Sequence, residues 1–253
     1  LTFFITLLLV NASIASNKCI KIKIMPLGDS ITSGVGDVTD DAYKVGYREF
    51  LWEGLLEFGY AVDFVGSLDM GYAIPGFDSN HEGHGGWTTE GIADNVYQWL
   101  ENNPPDIILL HIGTNDISYA DYDDVPIIAS RVETILNEID RYESDYNKEI
   151  TVVLAQIINR YPRSSATNMF NDLLVELAAD RRASGDRVYL VDMESALVYP
   201  GDMYDALHPN SSGYSKMADL WFLALGELLF TCTEAGNQAP NGTIDSPSGN
   251  ITI

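Results

Sequence analysis

Asp106-Ile107-Ile108-Leu109-Leu110-His111-Ile112-Gly113-Thr114-Asn115-Asp116 is an apolar run that stops at a glycine and turns polar at once. An apolar stretch without polar alternation reads as a strand covered on both faces, as in a parallel sheet. Pro104-Pro105 ends whatever helix precedes it. Working outward, 20–27 alternates Ile with Lys and then turns apolar, and 61–65, 150–157 and 187–191 are further short apolar runs. Between them lie segments with helical spacing. Residues 46–58 place Tyr47, Phe50, Leu51, Leu55 and Phe58 on one stripe closed by Gly59. Thr88 or Thr89 is a cap for a helix to Leu100. Further helices are expected at 125–142, at 168–183 and from Asn210 or Ser211 to Phe230. Five strands alternating with helices define an α/β domain with a parallel sheet covered on both faces.

The composition narrows the partners. Asp and Glu outnumber Lys and Arg by 37 to 14, a formal net charge of −23. Such a surface repels nucleic acid, anionic membranes and polyanionic substrates, and so favours a neutral substrate. It also reads more simply as solubility or adaptation to salt. The opening run Leu1-Thr2-Phe3-Phe4-Ile5-Thr6-Leu7-Leu8-Leu9-Val10, followed by Ala12, Ser13, Ala15 and Ser16, is similar to the core and cleavage region of a secretory signal. It has neither an initiator Met nor a basic leader, and it is too short to span a bilayer comfortably. Cleavage is expected near Ala15 or Ser16, with a domain at 17–232; the alternative is a buried N-terminal helix or strand. The two cysteines, Cys19 and Cys232, flank that domain at the same predicted sheet edge, and export would let them form a disulfide. Residues 233–253 turn polar, then read as a linker and the first strand of a further module, similar in style to immunoglobulin-like repeats of bacterial surface proteins. A disordered tail is the other reading.

The chemistry collects at one rim. Parallel sheets bind ligands at the carboxyl ends of their strands, where this chain puts Gly28-Asp29-Ser30, Gly113-Thr114-Asn115-Asp116 and Asp205-Ala206-Leu207-His208, with Gly85-Gly86-Trp87-Thr88 closing the loop after strand two. Ser30 supplies a nucleophile that is weak by itself. His208 would take its proton and return it to the leaving alcohol, and Asp205 would hold the other ring nitrogen. Backbone N–H groups of Ser30 and Gly86 and the Asn115 amide would receive the oxyanion. Activity should then fall as His208 protonates.

With these four segments in order, the chain resembles the SGNH hydrolases, the GDSL esterase/lipase superfamily. The similarity runs from about Ile20 to Phe230. It implies a flavodoxin-like, three-layer α/β/α SGNH hydrolase fold with five parallel strands in the order 2-1-3-4-5. It implies Ser30, Asp205 and His208 as catalytic residues, and Ser30, Gly86 and Asn115 as the oxyanion hole. Met25-Pro26-Leu27-Gly28-Asp29-Ser30-Ile31-Thr32, Gly46-Tyr47-Arg48 and His84-Gly85-Gly86-Trp87-Thr88 resemble the acetyl xylan esterase branch of carbohydrate esterases.

The expected enzyme is a secreted or cell-surface serine esterase acting on an acetylated polysaccharide or other small ester. It needs no cofactor and no metal, and it has no nucleic-acid or membrane partner. Trp87, His84 and Tyr47 are candidate substrate contacts, with simple packing the alternative for Trp87 and Tyr47. A lysophospholipase or broad short-chain esterase is the second enzymatic reading, and a carbohydrate-binding or adhesion module the reading from another class. His81, His84 and His111 invite a zinc reading, but His81-x-x-His84 falls in a Gly-rich loop and the mechanism needs no metal. The acidic stretches 37–41 and 121–124 lack the spacing of an EF-hand and read as solvated loops. Gly28-Asp29-Ser30-Ile31-Thr32 lacks the second glycine of a G-x-S-x-G elbow. Gly34-Val35-Gly36 lacks the third glycine of a dinucleotide loop.

Overall fold

A computed structural model describes residues 19–232, 238–240 and 251–252. The signal-like segment at 1–16 and most of the tail at 233–253 lie outside the described residues. Six strands form the parallel part of the sheet: β1 (Ile22–Gly28), β2 (Val62–Phe64), β3 (Glu82–Gly83), β4 (Ile107–His111), β5 (Thr151–Gln156) and β6 (Val188–Asp192). Without β3 their order is β2-β1-β4-β5-β6, the 2-1-3-4-5 order expected from the sequence. β3 prolongs the β2 position, pairing Glu82 and Gly83 with Leu27 and Gly28 of β1. Ile251–Thr252 adds an antiparallel edge to β6, and Phe230–Cys232 pairs antiparallel with Gln238–Pro240.

The helices are α1 (Ser30–Ser33), α2 (Tyr47–Glu57), α3 (Thr89–Asn102), α4 (Thr114–Tyr119), α5 (Val125–Tyr146), α6 (Ser165–Ala183) and α7 (Ser211–Gly226). Alternate residues of each strand face opposite sides, so the sheet divides two cores. Ile108 and Leu110 meet Ile92, Val132, Leu136 and Phe170 on one side. Ile107 and Leu109 share the other with Tyr47, Leu51, Leu55, Met217 and Trp221. Each fully buried Leu or Ile contributes roughly 1.5–3 kcal/mol over leaving it in water.

Three helix ends differ from the sequence reading by three or more residues; α5 runs on to Tyr146 rather than stopping at Tyr142. α6 starts earlier because the Ser164 hydroxyl accepts the Ala166 N–H at 3.2 Å, making Ser164 the cap. α7 stops at Gly226 rather than reaching Phe230. The N–H groups of Leu228 and Leu229 both turn back to the Leu225 carbonyl, and the chain leaves as a strand. Cys19 is disulfide-bonded, and the sequence holds one other cysteine, Cys232. No described helix is long and apolar enough to cross a membrane.

Candidate active site

Ser30 opens α1 immediately after β1. The strand reaches that point because Gly28 has no side chain: a Cβ there would lie 2.2 Å from the His111 carbonyl oxygen of β4. Asp29 then caps α1, its Oδ1 accepting the Ile31 N–H at 2.9 Å. Ser30 is left 9 % exposed, with its Oγ 2.9 Å from His208 Nε2. His208 Nδ1 lies 2.8 Å from Asp205 Oδ2. The three side chains therefore form one continuous hydrogen-bonded line.

The base and acid sit on a self-folded turn. Asp205 Oδ1 accepts the N–H groups of Leu207 and His208, both at 2.8 Å. The His208 carbonyl accepts the Tyr204 N–H at 2.9 Å. From the loop after β5, Tyr161 donates its N–H to the Ala206 carbonyl at 2.8 Å. Partial burial opposes charge on Asp205. The His208 ring and the two backbone donors outweigh it and hold the carboxyl below its usual range.

The third segment docks against the β1 side of the rim. His84 donates its N–H to Gly28 O at 2.8 Å, which docks the loop against β1. His84 to Trp87 then form a turn closed at 3.2 Å, with Gly86 at φ 81°, the positive value this position of the turn favours for glycine. From α4, Asn115 Nδ2 donates to the Trp87 carbonyl at 2.8 Å. That bond uses one of its two N–H groups and leaves the other available. A cavity of about 430 Å³ opens beside Asn115, lined in part by Thr88, Asp116, Ile127 and Arg131.

The structure thus brings Ser30, Gly86, Asn115, Asp205 and His208 to one rim. It corrects Tyr47, which cannot touch a substrate. Tyr47 is 0 % exposed, 5.9 Å from the Trp221 ring, with its hydroxyl 3.5 Å from Thr32 Oγ1. His84 packs against both Trp99 and Trp87, at ring distances of 4.4 and 4.5 Å, in a cluster of three rings, and its Nε2 lies 2.7 Å from Glu82 Oε1. Trp87 is half-buried against this stack. Among the described residues, no three His, Cys, Asp or Glu side chains are grouped to hold a metal ion.

Sequence reasoning missed two of the braces beneath the rim, Arg48 and Glu82, whereas Asp29 and Asp116, which flank the site, read from sequence as carboxylates that hold loops by hydrogen bonds. Arg48 is wholly buried, and its guanidinium donates to the carbonyls of Thr32, Ser33, Lys44, Met70 and Ser79. Burial pushes its pKa down to about 10. A cation beside the apolar stripe Tyr47, Leu51, Leu55 was the available signal. Glu82, also buried, accepts from Ser67 N–H and Oγ at 2.8 and 2.6 Å. Asp116 accepts from Thr89 N–H and Oγ1 at 2.9 and 2.8 Å, joining α4 to the start of α3.

Residues 27–216 match the GDSL-like Lipase/Acylhydrolase family, and the chain belongs to that family. It is 30 % identical over 238 residues to a multidomain esterase of Ruminococcus flavefaciens, covering 85 % of this chain but 30 % of that protein. The chain therefore spans less than a third of this curated relative. A family 3 carbohydrate esterase of Clostridium thermocellum superposes with a TM-score of 0.68 at 30 % identity, covering 81 % of this chain and 94 % of that one. An acetyl esterase mutant with acetate ion superposes with a TM-score of 0.68 at 28 % identity, covering 82 % and 97 %. Residues 27–216 thus form a carboxylic ester hydrolase domain of the GDSL type.

Proposed function

We propose that this esterase is exported and removes O-acetyl groups from a neutral polysaccharide through an acyl-Ser30 intermediate. Ser30 Oγ attacks the ester carbonyl and passes its proton to His208 Nε2. Asp205 keeps the other ring proton on Nδ1 and balances the imidazolium. The oxyanion is received by the N–H groups of Ser30 and Gly86 and the free N–H of Asn115. His208 protonates the leaving sugar alcohol, then draws a proton from water as it attacks the acyl-enzyme.

The carrying observation is the unbroken line of hydrogen bonds from Ser30 through His208 to Asp205. Similarity to a family 3 carbohydrate esterase and to an acetyl esterase mutant with acetate ion supports the acetyl and polysaccharide parts. The net charge of −23 favours a neutral polymer. The signal-like segment at 1–16 and the disulfide-bonded Cys19 support export. The greater length of the multidomain relative supports reading the tail as a link to further modules.

Initial rates on acetylated xylan and on p-nitrophenyl acetate, butyrate and octanoate, with Ser30→Ala as control, test the reading. Acetate release from xylan, a steep loss beyond acetate and an inactive variant are expected. Equal or better rates on octanoate without release from xylan would replace it with a lipid or general esterase.

A further inference from the structure

An acetyl group offers an enzyme little to recognise, so a preference for a polymer must come from contacts away from Ser30. The cavity beside Asn115 is placed to make them. It holds about 430 Å³, within the span of roughly 300–1,000 Å³ that small-ligand sites occupy. It opens where three helices begin. Thr88 lines it from the cap of α3, Asn115 from the first turn of α4 and Asp124 from the start of α5. Asn115 joins it to the reacting centre, since its amide is the oxyanion donor of the proposed reaction.

The polar groups around this cavity keep hydrogen-bonding capacity. Arg131 of α5 meets Asp116 Oδ1 at 3.9 Å and Glu90 Oε2 at 4.0 Å. Both distances exceed a hydrogen bond, so its fork of donors is spent on neither. Asp124 is exposed and makes no side-chain capping bond to α5, which leaves its carboxylate to accept. Thr88 Oγ1 accepts the Gly91 N–H at 3.4 Å and keeps its own O–H to give. Between these groups, Ile127 is 55 % exposed and supplies an apolar wall.

We propose that this cavity is a subsite for a further pyranose ring of a neutral polysaccharide, with Arg131 and Asp124 bonded to sugar hydroxyls and Ile127 against the ring face. The proposal rests on reading the substrate as an acetylated neutral polysaccharide. A pyranose fits because its hydroxyls both give and accept hydrogen bonds while its C–H face is apolar. Other occupants fit less well. A long acyl chain would take water from Asp124 and Arg131 and return no hydrogen bond. A sugar acid would meet Asp116 and Asp124 against one arginine.

A specificity ratio tests the subsite. For wild type, Arg131→Ala and Asp124→Ala, kcat/KM on acetylated xylotetraose is divided by kcat/KM on p-nitrophenyl acetate. The ratio should fall about tenfold in Arg131→Ala and about threefold in Asp124→Ala, through KM on the oligosaccharide. Unchanged ratios in both folded variants would overturn the proposal. So would a shift confined to the octanoate-to-acetate ratio of p-nitrophenyl esters, which would make the cavity an acyl pocket. Asp124 bears no capping bond, so its variant reads the subsite even where Arg131→Ala fails to fold.

Calorimetric binding of unacetylated xylohexaose and cellohexaose to Ser30→Ala separates the subsite from the reaction. At least one should bind, and adding Arg131→Ala should weaken it about tenfold. No binding of either sugar up to about 10 mM, or equal binding with and without Arg131→Ala and Asp124→Ala, would overturn the proposal. Sugar binding that these two changes weaken, in an enzyme that leaves acetylated xylan intact, would sink the deacetylase reading and keep the subsite.

Discussion

The two halves of the site are built in opposite ways. The floor under Ser30 is held by buried groups drawn from distant segments: Asp29 caps its turn, and Arg48 clamps Thr32 and Ser33 to Met70 and Ser79. The rim bearing His208 is a local turn, with Asp205 45 % exposed at its side chain and bonded to the N–H groups two and three residues on. The nucleophile therefore depends on the whole fold, and the base depends mainly on its own loop. The two aspartates show the contrast: one is driven towards its neutral form by burial, the other held charged by donors.

The largest expected effects erase the line that joins the halves. Ser30→Ala and His208→Ala should each lower kcat by about 10⁴–10⁶-fold, measured as initial rates on p-nitrophenyl acetate. Asp205→Asn should cost about 10²–10⁴-fold, because water reaches this rim and takes over part of the carboxylate's work. Its urea midpoint should stay close to wild type; a large shift would show that the rim also supports the fold. Asn115→Ala removes one oxyanion donor, and about 10²–10³-fold in kcat with nearly constant KM is expected.

Arg48→Met tests the floor. It strands five carbonyls, those of Thr32 and Ser33 fully buried, and a loss of roughly 3–5 kcal/mol in urea unfolding is expected. An unchanged midpoint would remove the contrast between floor and rim. A pH effect of comparable size follows from Asp29. Asp29's carboxyl is raised from 3.8 to about 7 on folding, so its favourable contribution is complete below 3.8 and is lost as pH rises to about 7. The stability of Asp29→Asn relative to wild type should therefore climb between about pH 4 and about pH 7, by up to ~1.4 kcal/mol per pH step. Asp205 has the opposite sign: held below its usual range, it supports the fold at neutral pH and loses that support in acid. Gly86→Ala is expected to have the least effect on stability, about 1 kcal/mol, because a Cβ there meets nothing and only the positive φ resists it.

The same contrast explains what was legible in the sequence. Strands such as Ile107–His111 follow from apolar runs, their order is what the family resemblance implies, and the parallel sheet carries the site residues to one edge. The rim is local in sequence, so Asp205-x-x-His208 could be read outright. The floor is not. Arg48 meets Met70 and Ser79 across 22 and 31 residues, and no local pattern announces such contacts. Tyr47 reads from sequence either as a pocket residue, on its family-like Gly46-Tyr47-Arg48 segment, or as packing, and the structure takes the second, seating it on Trp221. β3 is two residues long inside a Gly-rich loop, where strand periodicity has no room to appear. The early end of α7 depends on Leu228 and Leu229 turning back to one carbonyl, a choice the apolar spacing does not encode.

The central claim is a covalent ester on Ser30. Rapid acid quench of the enzyme during turnover of p-nitrophenyl acetate, followed by peptide mass mapping, addresses it directly. One acetyl group on the peptide holding Ser30, absent in Ser30→Ala, is the predicted result. Acetylation at another residue, or full turnover by Ser30→Ala, would contradict the account.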